Sequence, residues 1–304
     1  MTTEHTHCGL VAVIGAPNAG KSTLVNALVG QKVAIVSAKP QTTRTRLLGI
    51  ALDDTDGRKT QLILTDTPGI FAPRRRLDRA MVAAAWDGVQ AADALVLVVD
   101  GSRRAHTALE PILTALTTRT ERKILVLNKV DATAKEPLLA LADELGKLVE
   151  FTEIFFLSAL NGDGIAAFKS HLAGLMPEGP WHFPEDQVSD ASERLLAAEI
   201  TREQLYRQLH EELPYDSVVR PEKWTVRKDG SVEVHQQIIV ARDSQRAIVL
   251  GKQGSRIKAI GEASRLELAE IMGHPVHLFL HVRVEEGWAE SQEIYREIGL
   301  EWVR

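Results

Sequence analysis

An apolar run, Leu10-Val11-Ala12-Val13-Ile14, feeds directly into Gly15-Ala16-Pro17-Asn18-Ala19-Gly20-Lys21-Ser22-Thr23, a G-x-x-x-x-G-K-S loop. An apolar helical pattern follows at Leu24-Val25-Asn26-Ala27-Leu28-Val29. In such a loop backbone N–H groups converge on phosphate, the lysine reaches the outer phosphates and the hydroxyl ligates Mg²⁺. The spacing assigns Gly15, Asn18, Ala19, Gly20, Lys21, Ser22 and Thr23 to a nucleoside triphosphate, with Lys21 in contact with the reacting end and Ser22 on the metal. Further along, Gln61-Leu62-Ile63-Leu64-Thr65 runs into Asp66-Thr67-Pro68-Gly69. A carboxylate at a strand's carboxyl end can hold Mg²⁺ through water, and a glycine there leaves its amide for the γ-phosphate, which gives Asp66 and Gly69 those parts.

A third strand end decides the base. Lys123-Ile124-Leu125-Val126-Leu127 closes in Asn128-Lys129-Val130-Asp131. The Asp131 carboxylate can accept from the N1–H and N2–H₂ edge of guanine, an edge adenine lacks, while Asn128 braces the loops and the Lys129 stem lies along the base. Taken alone, the tetrapeptide is better read as a helix start, with Asp131 capping Ala132 to Leu141. Here it lies in register with two phosphate motifs. Ile154-Phe155-Phe156-Leu157 then ends in Ser158-Ala159-Leu160, where a backbone amide can meet guanine O6. Together these motifs specify GTP hydrolysis to GDP and phosphate.

A different chemistry sits in the second half. Gly251-Lys252-Gln253-Gly254 opens a helical pattern in which Ile257 and Ile260 continue an apolar face. A G-x-x-G loop of this kind is the backbone clamp of a KH domain, where absent side chains let single-stranded RNA approach. The loop alone is weak evidence. Lys252, Arg256 and Lys258 cluster around it, and between Arg242 and Arg265 six arginines and lysines face two acids. Gly251, Lys252, Gln253, Gly254, Arg256 and Lys258 are therefore the candidate RNA contacts.

The elements that must position these residues follow from pattern. Leu47 to Leu52 and Gln61 to Thr65 flank Asp56-Gly57, a hairpin-turn signal, and predict an antiparallel pair. The wholly apolar Ala94-Leu95-Val96-Leu97-Val98-Val99 predicts a buried parallel strand. Strands alternate with helical stretches, so the first half reads as a mixed, mostly parallel α/β sheet with helices on both faces and ligands at the strands' carboxyl ends. Gln31 to Arg46 has no periodicity and reads as a mobile loop. Three prolines and a glycine in Met176 to Pro184 stop a helix and read as an interdomain linker. Beyond it come an amphipathic helix from Ser192 to Leu209, a strand pair around Lys228-Asp229-Gly230, the G-x-x-G helix and a strand at Val276 to Val282, the order of a type II KH domain, an α+β fold.

The chain has 304 residues, a net charge of −5 and a pI near 6.1, so RNA contact has to come from a local patch. The single cysteine, Cys8, excludes an intrachain disulfide and fits a reducing compartment. No apolar run approaches the roughly 18 residues that span a bilayer, and Met1 to His7 shows no signal-peptide pattern, so a cytoplasmic location is expected.

Gly15 to Ser22, Pro40-Gln41-Thr42-Thr43-Arg44, Asp66 to Gly69, Asn128 to Asp131 and Ser158-Ala159-Leu160, in this order, resemble the Era family of bacterial GTPases, with a KH domain behind the GTPase as the family architecture. The resemblance implies a GTPase domain over 8–178, a linker at 179–188 and a KH domain over 189–304. It also implies that a threonine from the loop after the first helix, switch one, completes the Mg²⁺ shell, Thr43 being favoured over Thr42. It implies GTP or GDP with Mg²⁺ as cofactors and the 3′ region of 16S rRNA, in the 30S subunit during its assembly, as partner. A monomer is expected, with peripheral contact at the inner membrane as a side expectation. Gly299 to Arg304 fits the family less well. Ile70 stands where Ras-like GTPases carry a water-orienting glutamine. Asn18 is a candidate for holding K⁺ with the phosphates, as in related GTPases with this loop, and is equally well read as a brace to switch one. Two other functions compete: a constitutive RNA-binding protein with a structural nucleotide pocket, and a membrane-surface GTPase. The full set Lys21, Ser22, Asp66 and Asp131 disfavours the first, and the absence of a polybasic amphipathic helix or lipidation motif weakens the second.

Overall fold

A computed structural model describes residues 5–37, 39, 41–55, 57–103, 107–209 and 213–303. The chain divides into two compact units, one of 1–34 and 43–190, the other of 35–42 and 191–304.

The first unit is a six-stranded sheet of β1 (His7–Ile14), β2 (Leu47–Thr55), β3 (Arg58–Asp66), β4 (Ala94–Asp100), β5 (Lys123–Asn128) and β6 (Glu153–Leu157) in the order β2-β3-β1-β4-β5-β6. Only β2 is antiparallel to its neighbour. Its helices are α1 (Lys21–Val29), α2 (Arg76–Asp87), α3 (Glu110–Thr117), α4 (Lys135–Leu148) and α5 (Ile165–Leu175). The unbroken apolar run of β4 has the reason expected of it. Val96 and Val98 face Leu24, Leu28, Phe168 and Leu172 of α1 and α5, while Leu95, Leu97 and Val99 face Ala85, Ile112, Leu116 and Leu141 of α2 to α4. Alternate residues of a strand point to opposite faces, so burial on both leaves no polar position.

The proline-rich stretch is laid along this unit as a strap. Cys8 N–H donates to the Pro177 carbonyl at 3.1 Å and Ile50 N–H to that of Val188 at 2.8 Å. Gln61, fully buried, accepts from the His182 and Phe183 amides at 3.0 and 3.1 Å and donates to the Phe183 carbonyl at 2.9 Å. Trp181 and Phe183 pack on Cys8, Leu48 and Ile63 of β1, β2 and β3. The helix after Asn128-Lys129-Val130-Asp131 begins at Lys135 rather than Ala132: Val130–Ala132 is a separate turn, Thr133 is extended, and Pro137 suits the first turn that follows.

The second unit runs α6 (Glu193–Gln208), β7 (Ser217–Val226), β8 (Val232–Val240), α7 (Asp243–Leu250), α8 (Ser255–Met272), β9 (Val276–Val284) and α9 (Gln292–Glu297). β8 pairs antiparallel with β7 and in parallel with β9. The initial helix, strand pair, G-x-x-G helix and final strand are as expected of the type II KH arrangement, and α7, ahead of the G-x-x-G turn, is a further helix. Its core joins Ala198 and Leu205 of α6 to Val219, Ile238, Val240, Val249 and Ile260. Leu195, in the first turn of α6, is 38% exposed.

Candidate functional site

Every nucleotide motif lies at the carboxyl end of a strand in the first unit. β1 ends at Ile14, and Gly15 turns with φ of 154°, so tightly that a Cβ there would lie 2.3 Å from the Val98 carbonyl oxygen. Asn18 and Gly20 both hold positive φ, 63° and 96°, and Gly20 begins α1. Left-handed backbone at two positions is what allows successive amides to face one centre. The Lys21 ammonium donates to the Gly15 and Ala16 carbonyls at 3.2 and 3.1 Å. Burial lowers its pKa to about 8, against the opposing pull of Asp66.

Ser22, Thr43 and Asp66 converge. The Ser22 hydroxyl donates to Asp66 Oδ2 at 2.7 Å, the Thr43 hydroxyl to the same oxygen at 3.2 Å, and the two hydroxyl oxygens are 2.8 Å apart. Thr42 points elsewhere, donating to the Lys39 carbonyl at 2.8 Å. Two hydroxyls and one carboxylate are a hard-oxygen set that suits Mg²⁺, an ion that keeps its other positions for water and phosphate. Among the described residues no group of three or more His, Cys, Asp or Glu side chains offers an all-protein cage.

Gly69 packs on Pro17, where a Cβ would sit 2.8 Å from the proline Cα, and the Ile70 amide donates to the Gly15 carbonyl at 3.1 Å. The Ile70 side chain is 2% exposed and belongs to the core beneath the sheet, with Ile14 and Leu97.

On the base side, Asn128 ties three loops. Its amide donates to the Ala19 carbonyl at 2.9 Å, and its Oδ1 accepts from the Lys129 and Ala159 amides at 2.8 and 3.0 Å. Lys129, with φ of 66°, donates to the Asn18 carbonyl at 2.9 Å and to Asp100 at 2.7 Å. Burial works against the Asp100 carboxylate, but hydrogen bonds from Lys129 and Ser102 bring its pKa below the usual value. Asp131 is exposed, Ser158 buried, and Leu160 78% exposed. Thr23 follows Ser22 in the first turn of α1. Sequence reasoning passed over Asp100, which pins Lys129. It also passed over Asn26, whose Oδ1 accepts from the Val33 and Ala34 amides at 2.9 Å each. An asparagine within the apolar pattern of α1 was the available signal.

In the second unit the Gly251 to Gly254 turn joins α7 to α8. Gly251, Gln253 and Gly254 all have positive φ, of 70°, 53° and 75°. A Cβ on Gly251 would crowd Arg256 Cβ at 2.7 Å, whereas one on Gly254 would meet nothing within 4 Å. Gly254 is thus open toward solvent, as a clamp on a phosphate chain requires. Lys252, Gln253 and Lys258 are exposed and Arg256 half-buried, with Arg242, Arg246 and Arg265 exposed nearby in sequence.

Residues 10–129 match the 50S ribosome-binding GTPase family, and 212–289 match the KH domain family. GTPase Era of Erythrobacter litoralis is 69% identical over 304 residues, all of both chains. That of a Bradyrhizobium strain is 54% identical over 98% of this chain and 96% of its own. The chain belongs to the Era family of GTPases. Two crystal structures each match it with a TM-score of 0.90 at 36% identity, over 97% of this chain and 99% of theirs. One is Era in complex with MgGDPNP and nucleotides 1506–1542 of 16S ribosomal RNA, the other a variant of Aquifex aeolicus Era bound to GDP and AlF₄⁻. Like its family, this protein is a GTPase. Among the described residues no helix is long and apolar enough to cross a membrane.

Proposed function

We propose that this protein is a GTP-driven switch that binds the 3′ region of 16S rRNA and acts in 30S subunit assembly in the cytoplasm. The observation that carries it is one chain holding both the Ser22, Thr43 and Asp66 cluster and an open G-x-x-G turn, together with a relative of 36% identity that binds MgGDPNP and nucleotides 1506–1542. The functional division is a GTPase domain over 8–178, a linker at 179–188 and a KH domain over 189–304.

Ser22, Thr43 and Asp66 would hold Mg²⁺, which when bound withdraws charge from the β- and γ-phosphate oxygens. Lys21 exchanges its bonds to the Gly15 and Ala16 carbonyls for bonds to phosphate oxygens, and the Gly69 amide meets the γ-phosphate. Gly15, Asn18, Ala19, Gly20 and Thr23 contribute the loop around the phosphates. Asp131 reads the guanine edge, flanked by Asn128, Lys129, Ser158, Ala159 and Leu160. Loss of the γ-phosphate removes the reason for Thr43 and Gly69 to stay in place, and RNA affinity changes with it. K⁺ near Asn18 is the proposed extra charge during hydrolysis. On the RNA, Gly251 and Gly254 admit the backbone while Lys252, Gln253, Arg256 and Lys258 meet phosphates. Peripheral contact with the inner membrane remains a side expectation, read by vesicle flotation.

The test is crosslinking in cells with the protein held in its GTP form. Enrichment of the 16S rRNA 3′ end over the rest of the transcriptome is expected. Crosslinks spread evenly over cellular RNA would overturn the assignment.

A further inference from the structure

Residues 35–42, the part of switch one that precedes Thr43, belong to the second compact unit and not to the nucleotide-binding one. Ile35, 3% exposed, packs with Ala197 and Ile200 of α6 and with Val232, Val234 and Leu268. Side chains from α6 meet three backbone groups of the segment. The Glu203 carboxylate accepts from the Val36 amide at 3.3 Å, the Tyr206 hydroxyl donates to the Gln41 carbonyl at 3.3 Å, and the Arg202 guanidinium donates to the Thr42 carbonyl.

Arg202 is the unusual member. It is 2% exposed and carries a full positive charge into the buried stretch of α6 that also holds Thr201, Glu203 and Gln204. Burying a guanidinium is costly unless it is paired and used. Burial opposes its charge, and the Glu199 carboxylate one turn earlier, with the Tyr206 hydroxyl, outweighs burial and raises the pKa above the ordinary arginine value. The guanidinium lies over the Tyr206 ring at 5.3 Å. A planar fork can serve the Glu199 carboxylate and the Thr42 carbonyl together, which a lysine's single point charge does less well.

We propose that Arg202 is a positioning residue for GTP hydrolysis: by holding the Thr42 carbonyl it fixes the Thr42–Thr43 peptide, and with it the Thr43 hydroxyl beside Ser22 and Asp66. The proposal rests on the reading that Thr43 ligates Mg²⁺.

The experiment uses the full-length chain with Arg202→Met, which keeps the stem and removes the donors, Arg202→Lys, which returns one donor, and Thr43→Ala. Glu199 is about one-third exposed and can be hydrated when its partner goes. In Arg202→Met the Mg²⁺ concentration needed for half-maximal hydrolysis should rise, and kcat fall, about tenfold or more, the size expected for one charged hydrogen bond. Affinity for a fluorescent GDP without Mg²⁺ should stay unchanged, and Arg202→Lys should recover part of the loss. Should Arg202→Met fail to fold, the Arg202→Lys Mg²⁺ titration decides alone, a wild-type curve overturning the proposal. If Thr43→Ala leaves the Mg²⁺ requirement untouched, the metal assignment falls and the proposal with it. If Thr43→Ala shifts it and folded Arg202→Met does not, or if Arg202→Met weakens GTP and GDP alike, only the role of Arg202 is refuted.

Discussion

The side-chain amide of Asn128 donates to the Ala19 carbonyl at 2.9 Å, and by that bond the Gly15 to Gly20 loop after β1 is tied to the Asn128 to Asp131 loop after β5. The fit is tight: a Cβ on Gly20 would lie 2.2 Å from the same nitrogen. Asn128→Ala leaves the Ala19 carbonyl and the Lys129 and Ala159 amides without this partner. Each unmet buried group costs about 1–3 kcal/mol. GTP and GDP affinity should therefore fall together, by roughly 10- to 100-fold, in equilibrium titrations. A loss confined to GTP would place Asn128 at the γ-phosphate instead.

Asp131 sits exposed in the turn after β5, where its carboxylate can take both donors of the guanine edge. Asp131→Asn replaces one acceptor by a donor, which suits the carbonyl that xanthine offers there. GTP affinity should drop on the order of 10²–10⁴-fold, the worth of two charge-assisted bonds, while xanthosine triphosphate gains. Retained GTP affinity with no gain for the analogue would sink the base-reading role.

The GTPase half was legible because its chemistry is local: Gly15 to Ser22, Asp66 to Gly69 and Asn128 to Asp131 each sit within a few residues of a strand end. What stayed hidden depends on partners far along the chain. Arg202 reaches Thr42 across 160 residues, so switch one, aperiodic in sequence, reads as a mobile loop although α6 holds it. Met176 to Pro184 cannot continue a helix, but nothing local says that Trp181 and Phe183 will cover Cys8 and Ile63. Thr42 and Thr43 are chemically alike, and only the fold separates the one bound to the Lys39 carbonyl from the one beside Asp66.

Gly254 has φ of 75° and open space around it. Aspartate tolerates the left-handed region better than most residues, so Gly254→Asp should cost on the order of 1 kcal/mol of stability and leave the fold intact. On the proposed reading it puts a carboxylate where the RNA backbone comes close. RNA affinity at fixed salt should be lost in a filter assay while GTP affinity is unchanged. Equal RNA binding would remove the G-x-x-G turn from the interface.

With its pKa near 8 in the nucleotide-free protein, Lys21 is partly neutral in mildly alkaline solution, and a triphosphate would restore its proton. GTP affinity should fall by up to about tenfold per pH unit above pH 8, with proton uptake visible as a buffer-dependent heat in calorimetry. A flat affinity between pH 7 and 9.5 contradicts this. The sign for stability is the reverse. The folded pKa lies below the unfolded value of 10.5, so the unfolded chain holds more protons between about 8 and 10.5. Lys21 therefore opposes folding of the free protein below pH 8 and ceases to as pH rises through that window.

Hydrolysis needs a source of charge and water positioning that Ile70 cannot supply, since its side chain is packed with Ile14 and Leu97. Ile70→Gln should cost stability, by about 2–4 kcal/mol for a buried amide in an apolar site, and bring no gain in rate. The unassisted rate should be slow, on the order of 10⁻⁴ per second or below. The backbone at Asn18 is set left-handed, with its carbonyl held by Lys129 at 2.9 Å, so the residue's main chain is fixed in place. A side-chain carbonyl there can complete a K⁺ site with β- and γ-phosphate oxygens, at the point where an arginine finger would otherwise stabilise developing charge. Turnover should rise when Na⁺ is replaced by K⁺ at constant ionic strength, and Asn18→Ala should abolish the difference with little change in GTP affinity. Equal rates in the two salts would leave Asn18 as a brace of the loop.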